Sequence, residues 1–258
     1  MYGIRLALKD VHGISDAEVR SILETRADRP FRDVDDFLRR TSVSRPVVEA
    51  LAHAGGFDAL PRGTRRDRLY RAMTARSDRA GEQLALSFDA SERPPGLREY
   101  TDAERVRAEL EVLEVDASCH LMSFYEPLLA ELGVTRATDL HRLRSDAWVT
   151  VAGVKVASQT PAVKSGQRII FLTLDDATGP VDVTVFQSVQ DRLAKTVFHS
   201  FLLVIRGRLR RTGVRGVSII AEEAYDLTAL QRQRREGASP TTGPPRKLWH
   251  ASGGSAGW

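Results

Sequence analysis

The feature that most constrains this chain is a change of period at Trp148. Upstream, apolar residues recur at helical spacing. Downstream, Val149, Val151, Gly153, Lys155 and Ala157 alternate with Trp148, Thr150, Ala152, Val154 and Val156, the two-residue repeat of a strand with one buried face. Similar runs cover 168–174 and 181–186, with Asp176-Ala177-Thr178-Gly179 as the turn between them. A helical stretch over 187–195 follows, then runs over 201–209 and 214–220 joined by Arg210-Arg211-Thr212-Gly213.

Five strands with a helix between the third and fourth is the order of an OB barrel. Upstream, Ser15-Asp16-Ala17-Glu18 is a capping box that starts a helix carrying Val19, Ile22 and Leu23 on one face. A second short helix is expected over 33–40, and a third opens at Pro46 and stops at Gly55-Gly56. Thr101-Asp102-Ala103-Glu104 caps a charged helix running to about Leu113, and another helix is expected over 127–132. The expected fold is therefore α+β. Residues 1–81 form a helical module, 82–147 a mixed connector with the linker signal Pro94-Pro95-Gly96, 148–227 a five-stranded OB-like barrel, and 228–258 a flexible basic tail.

No apolar run exceeds the five residues 201–205, so no membrane span is expected. The lone Cys119 cannot form an internal disulfide, and the N-terminus lacks a secretory signal, which fits a cytoplasmic protein. The net charge of +4 is unevenly spread: 61–81 holds seven Arg against two Asp, and 89–116 holds nine acids against four Arg. A local basic stripe attracts a polyanion, although an Arg bias also follows from a GC-rich coding sequence.

Val11-His12-Gly13-Ile14-Ser15 sets a glycine turn directly before a capped helix, the arrangement of a helix-hairpin-helix element, whose second half is Ala54-Gly55-Gly56-Phe57. Gly13, Ser15, Gly55 and Gly56 are candidates for holding a duplex phosphate on free backbone amides, and a plain turn between packed helices is the alternative. Arg62, Arg65, Arg66, Arg68 and Arg71 follow with near-helical spacing, either a solvated helix face or an extension of the phosphate contact. In the barrel, Lys155, Arg168 and Phe171, with Lys164, are candidates for backbone and base-stacking contacts to single-stranded nucleic acid. Arg206, Arg208, Arg210 and Arg211 extend that basic surface. Gln83, Leu86 and Phe88, in the stretch Glu82-Gln83-Leu84-Ala85-Leu86-Ser87-Phe88, resemble the peptide that docks repair proteins onto the sliding clamp; the alternative is that these apolar residues tuck onto the domain.

No catalytic pattern survives its context. Asp33-Val34-Asp35-Asp36 imitates a metal-binding carboxylate set but opens a short helix, where acids complement the N-terminal dipole. Asp175-Asp176 belongs to a strand turn, and Cys119-His120 lacks a second ligand pair at zinc spacing. No catalytic residue, metal site or cofactor is expected in this chain.

In order, the glycine hairpins, the segment Ala54 to Leu60 with its Arg-rich helix, the helix of Glu104 and Glu114 leading to His120, and the five strands resemble the C-terminal region of a bacterial DNA polymerase III alpha subunit of the error-prone class. Supporting stretches lie at 31–38, at Val151-Ala152-Gly153-Val154, at 171–179 and at Val204-Ile205-Arg206-Gly207. The closing Lys247-Leu248-Trp249-His250-Ala251-Ser252-Gly253-Gly254 is similar to tails of actinobacterial members. His120-Leu121 departs from the family's usual His-Pro. The resemblance implies DNA binding and positioning for template-directed synthesis in damage-tolerant replication and repair. Its partners are duplex and single-stranded DNA, together with the clamp and other translesion proteins. The family's palm, with its Mg2+-binding aspartates, lies upstream of the matching region, so this chain alone is expected not to polymerise and to be a fragment, a split-gene product or a truncated one. The alternative reading is a barrel that recruits a repair protein without touching DNA.

Overall fold

In the computed structural model, residues 6–61, 63–74, 96–161, 168–212, 216–240 and 242 are described. They fall into two units, Met1–His120 and Leu121–Trp258.

The first unit is helical. After a 3-10 turn at Leu8–Asp10 come α1 (Asp16–Asp28), α2 (Val34–Arg40), α3 (Arg45–His53), α4 (Arg65–Thr74) and α5 (Asp102–Leu113). Local sequence sets the starts: Ser15 and Thr101 each accept from the backbone of the Glu three residues on, and each Glu reaches back to its cap. Asp33 caps α2. The α3 residues Val47, Val48, Leu51 and Ala52 lie buried along one face and meet Ile22, Val34, Phe37, Phe57 and Ala72. At the centre Phe37 stands edge-on to both Phe31 and Phe57, with centroids 5.0 Å apart in each pair. Each such side chain contributes roughly 1.5–3 kcal/mol by leaving water.

The second unit starts with a 3-10 turn at Leu121–Tyr125, then α6 (Glu126–Glu131) and α7 (Ala137–Leu140). It continues through β1 (Trp148–Gln159), β2 (Ile170–Asp175), β3 (Pro180–Val185), α8 (Gln187–His199), β4 (Leu202–Thr212), β5 (Gly216–Asp226) and α9 (Leu227–Arg235). The strands form a closed five-stranded barrel in the order β1-β2-β3-β5-β4. All pairings are antiparallel except β3 with β5, which are parallel over Asp182↔Ser218, Val183↔Ile219 and Thr184↔Ile220. The expected α+β fold with an OB-like barrel is the fold observed.

Strand alternation divides the side chains. Val149, Val151, Leu172, Leu174, Val181, Val183, Leu203, Ile205, Leu209 and Ile219 fill the interior, and Val189, Leu193 and Val197 of α8, four residues apart, pack on the same core. Outside the ring, Ala152 and Val204 form a second core with Met122, Leu128, Leu129, Leu227 and Leu230, so α6 and α9 cover one stretch of the barrel wall. The tail expected from residue 228 thus begins as a packed helix, capped by the Asp226 carboxylate on the Ala229 amide. Asp176, 1% exposed, organises the β2–β3 turn: it accepts from Thr178 N and Oγ1, Gly179 N and, at 2.7 Å, the Ala137 amide at the start of α7. No helix among the described residues is long and apolar enough to cross a membrane.

Candidate functional site

In the first unit, Gly13 lies exposed with φ +81, and a Cβ built there meets nothing within 4 Å. The turn is held from behind by His12 N–H to Val112 O (2.9 Å) and Ile14 N–H to Val11 O (3.2 Å), which leaves its outer side open. The start of α1 is not open in the same way. The Glu18 carboxylate accepts from Ser15 N (2.8 Å) and, with its other oxygen, from Ser44 N (2.9 Å) and Oγ (2.6 Å), joining the N-caps of α1 and α3. The Ser44 hydroxyl and the Ser15 amide, foremost among these donors, pull the Glu18 pKa down to about 2. Ser15, expected as a phosphate contact, is a cap whose hydroxyl and amide serve Glu18.

The arginine-rich segment is engaged internally. Arg65, 7% exposed, sends Nε to Asp58 (2.8 Å) and Nη1 to Glu109 (3.4 Å) and the His53 carbonyl (3.3 Å). Glu109 is itself 1% exposed; burial pushes its carboxyl up, but the Ser118 hydroxyl and amide, the Ala117 amide and Arg65 outweigh that and hold it below its ordinary value. Arg66 pairs with Glu104 (2.7 Å) and stacks over Tyr100 (4.6 Å), Arg68 bonds Asp58, and Arg71 bonds Asp35. The basic stretch 61–81 and the acidic stretch 89–116 thus meet through Arg65–Glu109 and Arg66–Glu104, so the charges segregated along the chain neutralise each other there. Arg65, expected as a phosphate contact, is a buried cation held by these internal partners; Gly55 and Gly56 end α3, with Gly55 lying against the Arg65 guanidinium. Arg62 lies outside the described residues, as do Gln83, Leu86, Phe88 and Lys164. Asp33 caps α2 and Asp36 bonds Arg29, Arg40 and the Arg32 amide, so these acids serve helix ends and arginines. Among the described residues no group of three or more His, Cys, Asp or Glu could hold a metal ion.

In the barrel, the expected residues separate. Lys155 donates Nζ to the carbonyls of Val197 (2.8 Å) and Phe198 (3.0 Å), capping the C-terminal end of α8. That engagement occupies the ammonium expected on the binding face. Arg168 is exposed. Phe171, 41% exposed, points outward from β2 opposite Gln159 of β1 and Thr184 of β3. With Ala157, Thr173, Asp182, Ser218 and Arg210 they line an open groove of about 430 Å3. The Thr173 hydroxyl donates to Asp182 (3.0 Å), and Arg210 pairs in register with Ser218. The groove therefore offers an aromatic face, a cation and several hydroxyls.

Along β4, Arg206, Arg208 and Arg210 share the outer face, whereas Arg211 bonds the His141 carbonyl. Arg206 pairs with Glu223 (3.2 Å). Trp148, absent from the residues singled out in the sequence, is 48% exposed beside them, its ring 4.6 Å from Arg206 Cζ and 5.1 Å from Arg208 Cζ. Its signal was available: alternation with the buried Val149 and Val151 turns it outward.

Residues 1–69 match the family described as helix-hairpin-helix motif, and residues 149–227 match the family described as OB-fold nucleic acid binding domain. The chain is 28% identical over 235 residues to error-prone DNA polymerase 2 of Agrobacterium fabrum, covering 88% of this chain and 21% of that protein. It is 28% identical over 265 residues to error-prone DNA polymerase 2 of Rhizobium meliloti (99% and 24%). With the error-prone DNA polymerase of Burkholderia pseudomallei it shares 32% over 228 residues (88% and 21%). The chain thus spans between a fifth and a quarter of the length of these curated relatives.

Proposed function

We propose, from the premise that this chain is homologous to about a fifth of an error-prone DNA polymerase, that it is a DNA-positioning module. Its barrel holds single-stranded template and its first hairpin touches duplex backbone, while chemistry is supplied by other polypeptide regions. The observation that carries the reading is the groove in which exposed Phe171 and Arg210 stand with the hydroxyls of Thr173, Thr184 and Ser218. An aromatic face stacks any base, and a guanidinium beside it takes the phosphate, so the pair suits a single strand without demanding a sequence. Gly13, with an open outer side, supports a lesser contact to duplex phosphate through backbone amides. Damage-tolerant synthesis and docking of the Gln83 to Phe88 peptide on a clamp extend the same proposal.

Anisotropy titration of the full chain against a labelled single strand, over a series of salt concentrations, tests it. Binding should weaken steeply with salt, by roughly 0.7 in log–log slope for each phosphate contacted. Phe171→Ala should weaken it about tenfold, and Arg210→Gln should also flatten the slope. Absence of binding at low salt refutes the proposal and favours a barrel that recruits protein instead.

A further inference from the structure

We infer that Trp148 is a second base-stacking platform, four ladder steps along the barrel wall from Phe171, and that a single strand long enough to span both crosses the β4 arginines. The inference rests on the nucleic-acid reading above and extends it to a surface outside the Phe171 groove.

The path is written in the ladder registers. Phe171 of β2 pairs with Thr184 of β3, Thr184 with Ile220 of β5, Ile220 with Arg208 of β4, and Arg208 with Trp148 of β1. These residues form one rank of outward-facing positions. Four interstrand steps of about 4.8 Å place the two aromatics roughly 19 Å apart along the wall. That arc is within the site size of a single barrel, roughly 4–16 nucleotides.

Charge favours a polyanion on this path. Arg206 is neutralised by Glu223, but Arg208 and Arg210 are exposed and have no carboxylate partner among the described residues. Two residues apart on one strand, their Cα atoms lie about 6.7 Å apart. Arg206 and Arg208 both lie within about 5 Å of the indole, yet 48% of Trp148 stays exposed. The guanidinium groups hold the ring in position, so little rotamer freedom remains to be lost when a base stacks on it. A tryptophan serving only to pack would be covered, as Met122 and Leu128 are on the neighbouring stretch of wall.

Three Trp occur in the chain, at 148, 249 and 258, so Trp249→Phe with Trp258→Phe leaves Trp148 as the sole indole reporter. Titration of this variant with oligothymidylates of about four and about twelve nucleotides, followed by both anisotropy and indole emission, reads the two platforms separately. The longer strand should quench Trp148 and the shorter one, bound at Phe171, should leave its emission unchanged. Trp148→Leu should weaken the longer strand about tenfold and the shorter one not at all, and Arg208→Gln should lower the salt slope only for the longer strand. Binding of both strands with flat Trp148 emission and an unaltered Trp148→Leu affinity overturns this inference and leaves the groove reading standing. Failure of either strand to bind overturns the groove reading, and this inference with it.

Discussion

Gly13 and Gly55 share φ +81 but differ in what surrounds them, so alanine at each isolates the role of the Arg65 cage. Moving an L residue into this left-handed region costs roughly 1–2 kcal/mol at either position. At Gly13 that is the whole penalty, because nothing lies within 4 Å of the new Cβ. At Gly55 the methyl overlaps Arg65 Nη2 and lies 2.6 Å from its Cζ and 2.7 Å from Asp58 Oδ2. Arg65 must leave, taking its hydrogen bond from the His53 carbonyl and its charge from Glu109, which is 1% exposed. Removing one partner of a buried pair costs roughly 3–5 kcal/mol. Glu109 retains the Ser118 and Ala117 amides, so the lower end, about 3 kcal/mol beyond Gly13→Ala, is expected. Hydrogen exchange of α3 and α4 amides, read peptide by peptide, should accelerate roughly a hundredfold more in Gly55→Ala than in Gly13→Ala. Equal acceleration in the two variants would refute the view that Arg65 is an internal tie.

Glu18 should give the first unit an acid-sensitive component. Its folded pKa, about 2, lies below the ordinary 4.5, so its stabilisation is complete above the unfolded value and is lost as pH falls from there toward about 2. Glu18→Gln should therefore lower the urea midpoint of the first unit at neutral pH, with the gap to wild type closing below about pH 4.5; a gap constant down to the acid limit contradicts the assignment. Asp176→Ala should destabilise the second unit by roughly 2–3 kcal/mol, since the donors of Ala137, Thr178 and Gly179 lose their acceptor in a buried turn. Urea unfolding monitored through Trp148 emission, with Trp249→Phe and Trp258→Phe in the background, measures it, and an unmoved midpoint counts against a structural role for that carboxylate.

The elements were legible where both halves of a signal lie within a turn. Ser15 with Glu18, Thr101 with Glu104, and the alternation from Trp148 each declare themselves locally, and α1, α5 and β1 begin where those residues place them. Long-range partners were not legible. Arg65 finds Glu109 44 positions on and Lys155 finds the Val197 carbonyl 42 positions on, so both read as free surface cations until the fold assigned them. The last strand runs on to Asp226, although Glu222 and Glu223 lack strand character, because Glu223 lies opposite Arg206 in the ladder. Leu227 and Leu230, three apart, with Ala229 between them, were the apolar sign of α9 amid arginine and glutamine. Phe171 and Arg210 were both nominated from sequence, but their meeting in one groove depends on the parallel closure of β3 on β5, which no local pattern announces.

That closure also limits how anything can be gripped. Where a strand is paired on both sides, as β3 is over Asp182 to Thr184, the described ring has no vacant row of amides and carbonyls onto which an extended guest could zip. Whatever settles on those doubly paired stretches must be held by side-chain tips alone. Its hold is therefore divisible residue by residue, and a paralogue could change its guest by exchanging a few outward positions while the barrel beneath stays as it is.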